Sequence, residues 1–312
     1  MTRALLMTPL LLATLVALGC KEKQVESPLE QSVSTVPQAF STSPDFDGQN
    51  AYLHCHNICA LGPRLSGSPA YAAQLDYLEK HLTAAGWRVE RDSFPVRGIT
   101  MTNLRAVRGE STDTRPLLLS CHIDTKVNIS PDFESADDGA SGAAVLLETA
   151  RTLAADVAER VELIFLDGEE SFAPRMSEDD GLYGSMHDVA RRGNKLPRYQ
   201  INLDMVGGRN KIIAPPSLET SDFMYAHYMA AVRELGFRED KWTIWPGSYM
   251  DDHLPYLEAG VESINLIAVF VGSDWWHTQR DNMSRICPDS LHESGKMTAE
   301  LIRRLLLTEK AD

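Results

Sequence analysis

The chain has 312 residues, of which 43% are hydrophobic and 24% charged, and a formal net charge of −14 at pH 7. That balance is that of a folded globular protein, and the acidity excludes a nucleic-acid backbone as partner. Five cysteines in a chain of this length are too few for a disulfide framework.

At the amino terminus Arg3 precedes an apolar run from Ala4 to Ala17, too short to span a bilayer comfortably and followed by small residues. Residues 1–19 therefore read as a signal peptide. The run ends in Ala17-Leu18-Gly19-Cys20, which resembles the lipobox of bacterial lipoproteins, with Ala17 standing where Leu is usual. The resemblance implies cleavage before Cys20, a lipid on that cysteine and a protein anchored to a membrane of the cell envelope, facing the periplasm or exterior. Residues 20–45 are rich in Ser, Pro, Gln and Glu and cannot bury enough surface to offset ordering, so they read as a flexible tether. Residues 46–312 suit one large α/β domain. Cys55 and Cys59 fall one turn apart on a helix, a poor geometry for pairing with each other, which leaves either free to pair with Cys287. The string His54-Cys55-His56 is a weak metal candidate beside the groups further along.

A helix is predicted over 70–85, with Tyr71, Leu75, Leu78, Leu82 and Ala85 on one face and Gly86 closing it. Strands follow at 87–94, 104–109, 117–121, 161–167, 199–205 and 263–267. The third and fourth are near-continuous apolar runs, as central strands covered on both faces should be. Residues 142–155 read as the crossover helix between them, and 289–307 as the closing helix. The pattern predicts a mostly parallel or mixed central sheet sandwiched by helices, with ligands gathered at the carboxyl ends of its strands.

The polar residues follow that rule. His122 and Asp124 come directly after one strand, Glu169 and Glu170 after the next, and Asp204 ends another. Asp137 and Asp138 stand at the mouth of the crossover helix, and His277 lies in a late loop. Singly, each has an ordinary explanation as a turn, cap or solvated group. Together they put imidazole and carboxylate at one sheet edge, a donor set without cysteine that suits a catalytic zinc with an open position. Adjacent residues in extended chain point opposite ways, so one of Glu169 and Glu170 can bind metal while the other faces the reacting group.

The ordered strings His122-Ile123-Asp124, Asp138-Gly139-Ala140-Ser141-Gly142, Asp167-Gly168-Glu169-Glu170, Leu203-Asp204 and Trp276-His277-Thr278 resemble the zinc aminopeptidase family that includes animal-type glutaminyl cyclases. Cys121-His122-Ile123-Asp124-Thr125-Lys126, Leu182-Tyr183-Gly184-Ser185, Asp251-Asp252-His253 and Asp281-Asn282 look closer to the cyclases. Residue by residue, the resemblance implies one zinc held by Asp138, Glu170 and His277. It implies Glu169 as proton shuttle, Asp251 as partner for the substrate amide and Trp276 as a pocket wall. In a cyclase His122 and Asp204 would stand behind the ligands. In a two-zinc aminopeptidase they would bind the second metal, with Asp138 bridging. Either enzyme would act on peptides or proteins with a free amino terminus. Two positions depart from the cyclase pattern: the segment 172–180 carries Met176 near the place of a substrate-contacting Trp, and Asn265 stands where animal cyclases have His. The leading expectation is glutaminyl-peptide cyclotransferase activity, followed by aminopeptidase activity and then by a noncatalytic envelope binding protein on an enzyme scaffold.

Overall fold

The computed structural model describes residue 40 and residues 44–109 and 117–308. Residues 1–19, Cys20 and most of the expected tether lie outside the described residues. Phe40, within that expected tether, sets its ring 4.5 Å from the ring of His54 and 5.3 Å from that of His81. Among the described residues no helix is long and apolar enough to cross a membrane.

The first helix, α1 (Gly48–Cys59), starts where Asp47 accepts from the backbone N–H of Gln49. In α2 (Pro69–Ala84), Ser68 accepts from Tyr71 N and Pro69 occupies the first turn, where its missing N–H costs nothing. Leu78 and Leu82 are fully buried, and truncating either to Ala costs about 2–5 kcal/mol at such a site.

Strands β1 (Arg88–Val96) and β2 (Ile99–Val107) form one antiparallel hairpin. The second strand begins five residues before the predicted 104. The turn pair Arg97-Gly98 joins the two strands, both residues with positive φ (48° and 83°), which matches the twist of a two-residue hairpin.

Then follow β3 (Leu117–His122), α3 (Gly142–Thr152), the single turn α4 (Ala155–Ala158), β4 (Val161–Leu166), α5 (Tyr183–Arg192) and β5 (Tyr199–Asp204). After them come α6 (Asp222–Glu234), α7 (His253–Glu258), β6 (Glu262–Ile267) and α8 (Pro288–Thr308). The order across the sheet is β1-β2-β4-β3-β5-β6, with β4, β3, β5 and β6 mutually parallel and β2 antiparallel to β4. The expected mixed sheet is therefore four parallel strands extended by a hairpin.

Every residue of β3, β4 and β5 is buried, because helices cover both faces. Leu117, Leu119, Leu163, Phe165, Ile201 and Leu203 share a core with α1, α2, α3, α6 and α8. Leu118, Ile164 and Leu166, the alternate residues, face Tyr256 of α7 and Val189 of α5. β3 leads through α3 to β4 on one side, while β5 lies on its other side, so β3 adjoins a topological switch point, where such sheets open a crevice at their carboxyl edge.

The pairing with Cys287 that the sequence leaves open does not form. Cys55, Cys59, Cys121 and Cys287 are free thiols. Cys55 donates to the carbonyl of Ala136, 3.3 Å away, and Cys287 accepts from Arg209 at 3.9 Å. His54 of the histidine-cysteine string packs among Tyr77 and His81 and belongs to no metal-type cluster among the described residues.

Candidate metal centre and active site

The sequence-predicted residues converge on that carboxyl edge. His122 ends β3 and Asp204 ends β5. Glu169 and Glu170 follow β4 by way of Gly168, whose φ of 73° turns the chain and whose Cβ would lie 2.5 Å from Met101 Sδ. Asp138 sits in the irregular turn Ala136–Ser141 that feeds α3, beside Gly139 at φ 98°. A Cβ on Gly139 would stand 3.2 Å from His122 Cε1, so only glycine lets the turn approach that imidazole. His277 and Met205 hold left-handed backbone, φ 52° and 51°, at a cost of roughly 1–2 kcal/mol each.

Two donor groups result, and they share Asp138. One is Asp138, Glu170 and His277; the other is His122, Asp138 and Asp204. His277 Nε2 lies 3.1 Å from Glu170 Oε1 and 3.4 Å from Asp138 Oδ2. His122 Nε2 lies 3.1 Å from Asp138 Oδ1 and 3.3 Å from Asp204 Oδ1.

Two other aspartates set the ligands in place. Asp124 accepts from the N–H groups of Glu169 and Glu170, both at 3.1 Å. Asp281 accepts from those of Asp137 at 2.8 Å and Asp138 at 3.1 Å. Asp124 and Asp137, counted among the potential ligands from sequence, are thus otherwise engaged: Asp137 accepts from Gly207 N and Arg285 Nε. Lys126, quoted in a motif without a role, donates to Ser171 O at 2.7 Å and lies 3.4 Å from Glu170 Oε2. No local pattern marked these partners, because each contact joins segments far apart in sequence.

Burial opposes a charge on His277, yet the hydrogen bonds to Asp138 and Glu170 push its pKa up to about 10. Burial also works to raise Asp138, but hydrogen bonds from His122 and His277 hold it below the usual carboxylate range. Glu169 is pushed well above that range by burial and by the charges of Glu170 and Asp251, against the lowering influence of His122. Asp138 Oδ2 is buried without a well-formed hydrogen bond, His277 notwithstanding. A buried carboxylate oxygen left in that state among imidazoles and carboxylates is what a divalent cation would satisfy. The residues fit zinc.

A cavity of about 410 Å³ opens onto this edge. Asp138, Glu169, Glu170, Asp204 and Asp251 line its acidic floor, and Met176, Tyr249, Ile267, Phe270 and Trp276 its apolar walls. Asp251 is fixed by Asn202 Nδ2 on Oδ1 (2.9 Å) and Asn265 Nδ2 on Oδ2 (2.6 Å). Asn265, read from sequence as a departure, is therefore the brace of Asp251. Trp276 stacks on His277 at 3.9 Å and meets Phe270 at 4.6 Å. Met176 does line the cavity.

Parallel strands, a carboxylate shared by two donor groups and a further carboxylate, Glu169, beside them make a site of the kind that can hold a catalytic metal. Residues 103–302 match the sequence model of peptidase family M28, and the chain belongs to that family. It is 30% identical over 281 residues to the glutaminyl-peptide cyclotransferase-like protein of Bos taurus, covering 78% of this chain and 72% of that protein. Among solved structures it is similar to Porphyromonas gingivalis glutaminyl cyclase, with a TM-score of 0.74 and 27% identity over 83% of this chain and 99% of the other. It is also similar to a leucine aminopeptidase precursor from Bacteroides thetaiotaomicron, with a TM-score of 0.72 and 26% identity over 86% and 98% of the two chains. The protein is an enzyme of this family, with the α/β fold its glutaminyl cyclases and zinc exopeptidases share.

Proposed function

We propose that the protein is a glutaminyl-peptide cyclotransferase, converting amino-terminal Gln of peptides to pyroglutamate with release of ammonia. The observation that carries this reading is the pairing of Glu169 with a braced Asp251 in one cavity. Asp251 Oδ1 also accepts from Asp252 N. Of the roughly four acceptor positions on a carboxylate, one on Oδ2 is then left for the N–H of a primary amide. The cyclase relatives, matched over most of their length, support the same reading.

Asp138, Glu170 and His277 would hold the zinc. When bound, zinc supplies Lewis-acid polarisation of the side-chain carbonyl. Glu169 takes the proton from the attacking α-amine and delivers it to the departing nitrogen. The bond from the α-nitrogen to Cδ forms, that from Cδ to the amide nitrogen breaks, and ammonia leaves. Burial and the charges of Glu170 and Asp251 raise the pKa of Glu169, which strengthens its carboxylate as the acceptor of the amine proton. The reaction is intramolecular, so holding the substrate folded against Trp276 and Phe270 supplies much of the rate.

The grouping of His122 with Asp138 and Asp204 favours a second reading, an aminopeptidase with a second metal at that place. Mass spectrometry of a Gln-initiated peptide with zinc-loaded protein separates the two. Ammonia loss from an otherwise intact peptide is expected, and Glu169→Gln should remove most of it. Release of the first residue would mean an aminopeptidase. Full activity in Glu169→Gln would overturn both mechanisms.

A further inference from the structure

The charges around the cavity are unevenly spent. Five carboxylates line it, and of its three basic side chains two are engaged within the protein. Lys126 is buried against Ser171 and Glu170, and His277 sits on Glu170 and Asp138. The third, Arg175, is exposed, and among the described residues it makes no hydrogen bond or ion pair.

The segment bearing it is nonetheless tied down. Asp180 accepts from the N–H groups of Phe172 at 3.0 Å and Ala173 at 2.8 Å, and from Tyr183 Oη at 2.9 Å. From the β1–β2 turn, Arg97 lies over the rings of Phe172 and Tyr183 at 5.2 and 5.8 Å and donates to the carbonyl of Asp179. Both ends of the segment are thereby fixed, and Pro174, Arg175 and Met176 are presented at the cavity lip.

We propose that Arg175 is a specificity-determining residue that binds a carboxylate on the substrate chain just beyond its amino-terminal residue. The proposal rests on the reading that the cavity takes the amino-terminal end of a peptide. The ammonium end then enters among carboxylates, while the chain that follows must leave past the lip. A carboxylate there meets the one unspent guanidinium among the described cavity residues, whose fork matches it in geometry. An acidic chain offered to this acidic protein would otherwise be repelled.

Gln-Glu-Ala-amide, Gln-Gln-Ala-amide and Gln-Lys-Ala-amide are to be compared on zinc-loaded wild type, Arg175→Ala and Arg175→Glu. In wild type kcat/KM should be about three- to fivefold higher with Glu than with Gln at the second position, the size of an exposed ion pair. The preference should lie in KM, shrink in about 0.5 M salt, vanish in Arg175→Ala and turn toward Lys in Arg175→Glu. A matching gain for free Gln-Ala over its amide, also lost in Arg175→Ala, would identify the chain terminus as a second source of the same carboxylate. Calorimetric binding of the same peptides to Glu169→Gln, with and without Arg175→Ala, reads the contact without turnover. Equal binding of the Glu and Gln peptides, or a preference that Arg175→Ala retains, overturns the role of Arg175 and leaves the proposed activity standing. A binding preference with no turnover of any peptide does the reverse.

Discussion

Replacing Asp124 by Asn tests whether the catalytic carboxylates are held from behind. The wild-type side chain gives one oxygen to Glu169 N and the other to Glu170 N, each at 3.1 Å, in a fully buried setting. Asn keeps one acceptor but turns an NH2 group against the second N–H. Losing one charge-assisted bond costs about 1.5–3 kcal/mol, and an orphaned buried N–H about 1–3 kcal/mol. The two overlap, so about 2–4 kcal/mol of stability should go, out of the roughly 5–15 kcal/mol of a typical domain. The variant should still fold. Because both Glu169 and Glu170 hang from that strap, and a shift of ~1 Å costs on the order of 100-fold in rate, activity should fall at least tenfold. Urea unfolding with and without zinc gives the first quantity, and turnover of a Gln-initiated peptide the second. A variant with the wild-type urea midpoint and wild-type kcat would refute the argument.

Zinc should stabilise the fold through the carboxylate cluster. Returning zinc to chelator-treated protein at about 100 times its Kd contributes about 2.7 kcal/mol, or a rise in Tm of roughly 5–10 °C for a domain of this size. An unchanged Tm would argue against a bound cation there, and elemental analysis would count one ion or two. His54 offers a pH test away from the centre. Burial, with help from the charges of His81 and Arg151, pulls its pKa down to about 3. The unfolded chain, near 6.5, therefore binds the extra proton as pH falls between those values. Stability owed to neutral His54 should be intact above pH 6.5 and decline below it, by at most about 1.4 kcal/mol per pH unit. The His54 ring resonances should not titrate between pH 7.5 and 5; a midpoint inside that range would contradict the burial argument.

Much of this molecule is legible in one dimension. Near-continuous apolar runs fixed β3 and β4 as central strands, because a strand covered on both faces has no polar side to show. Ligand-type residues directly after those strands pointed to the carboxyl edge, because parallel strands connected by helices all end there. His122, Asp138, Glu169, Glu170, Asp204 and His277 are legible in this way, whereas Asp251 and Trp276 follow only from the family resemblance. The sequence pattern marks no helix at α5, α6 or α7, and it shows the β1–β2 hairpin only as two separate strands.

What only the tertiary structure decided is which carboxylates are free to act. Asp124, Asp137 and Asp281 have the same chemistry as Asp138 and Asp204, and the sequence sets Asp137 next to Asp138. They differ in what the fold brings to them: donors from distant segments on both oxygens of each carboxylate. The same contrast separates Arg175, which has no partner among the described residues, from Lys126 and His277, which have theirs. Sequence lays down residue types and their spacing along the chain, because periodicity and strand ends are local. Whether a charge is already satisfied depends on groups up to 148 residues away, as with Arg285 on Asp137, and that is settled only when the chain has folded.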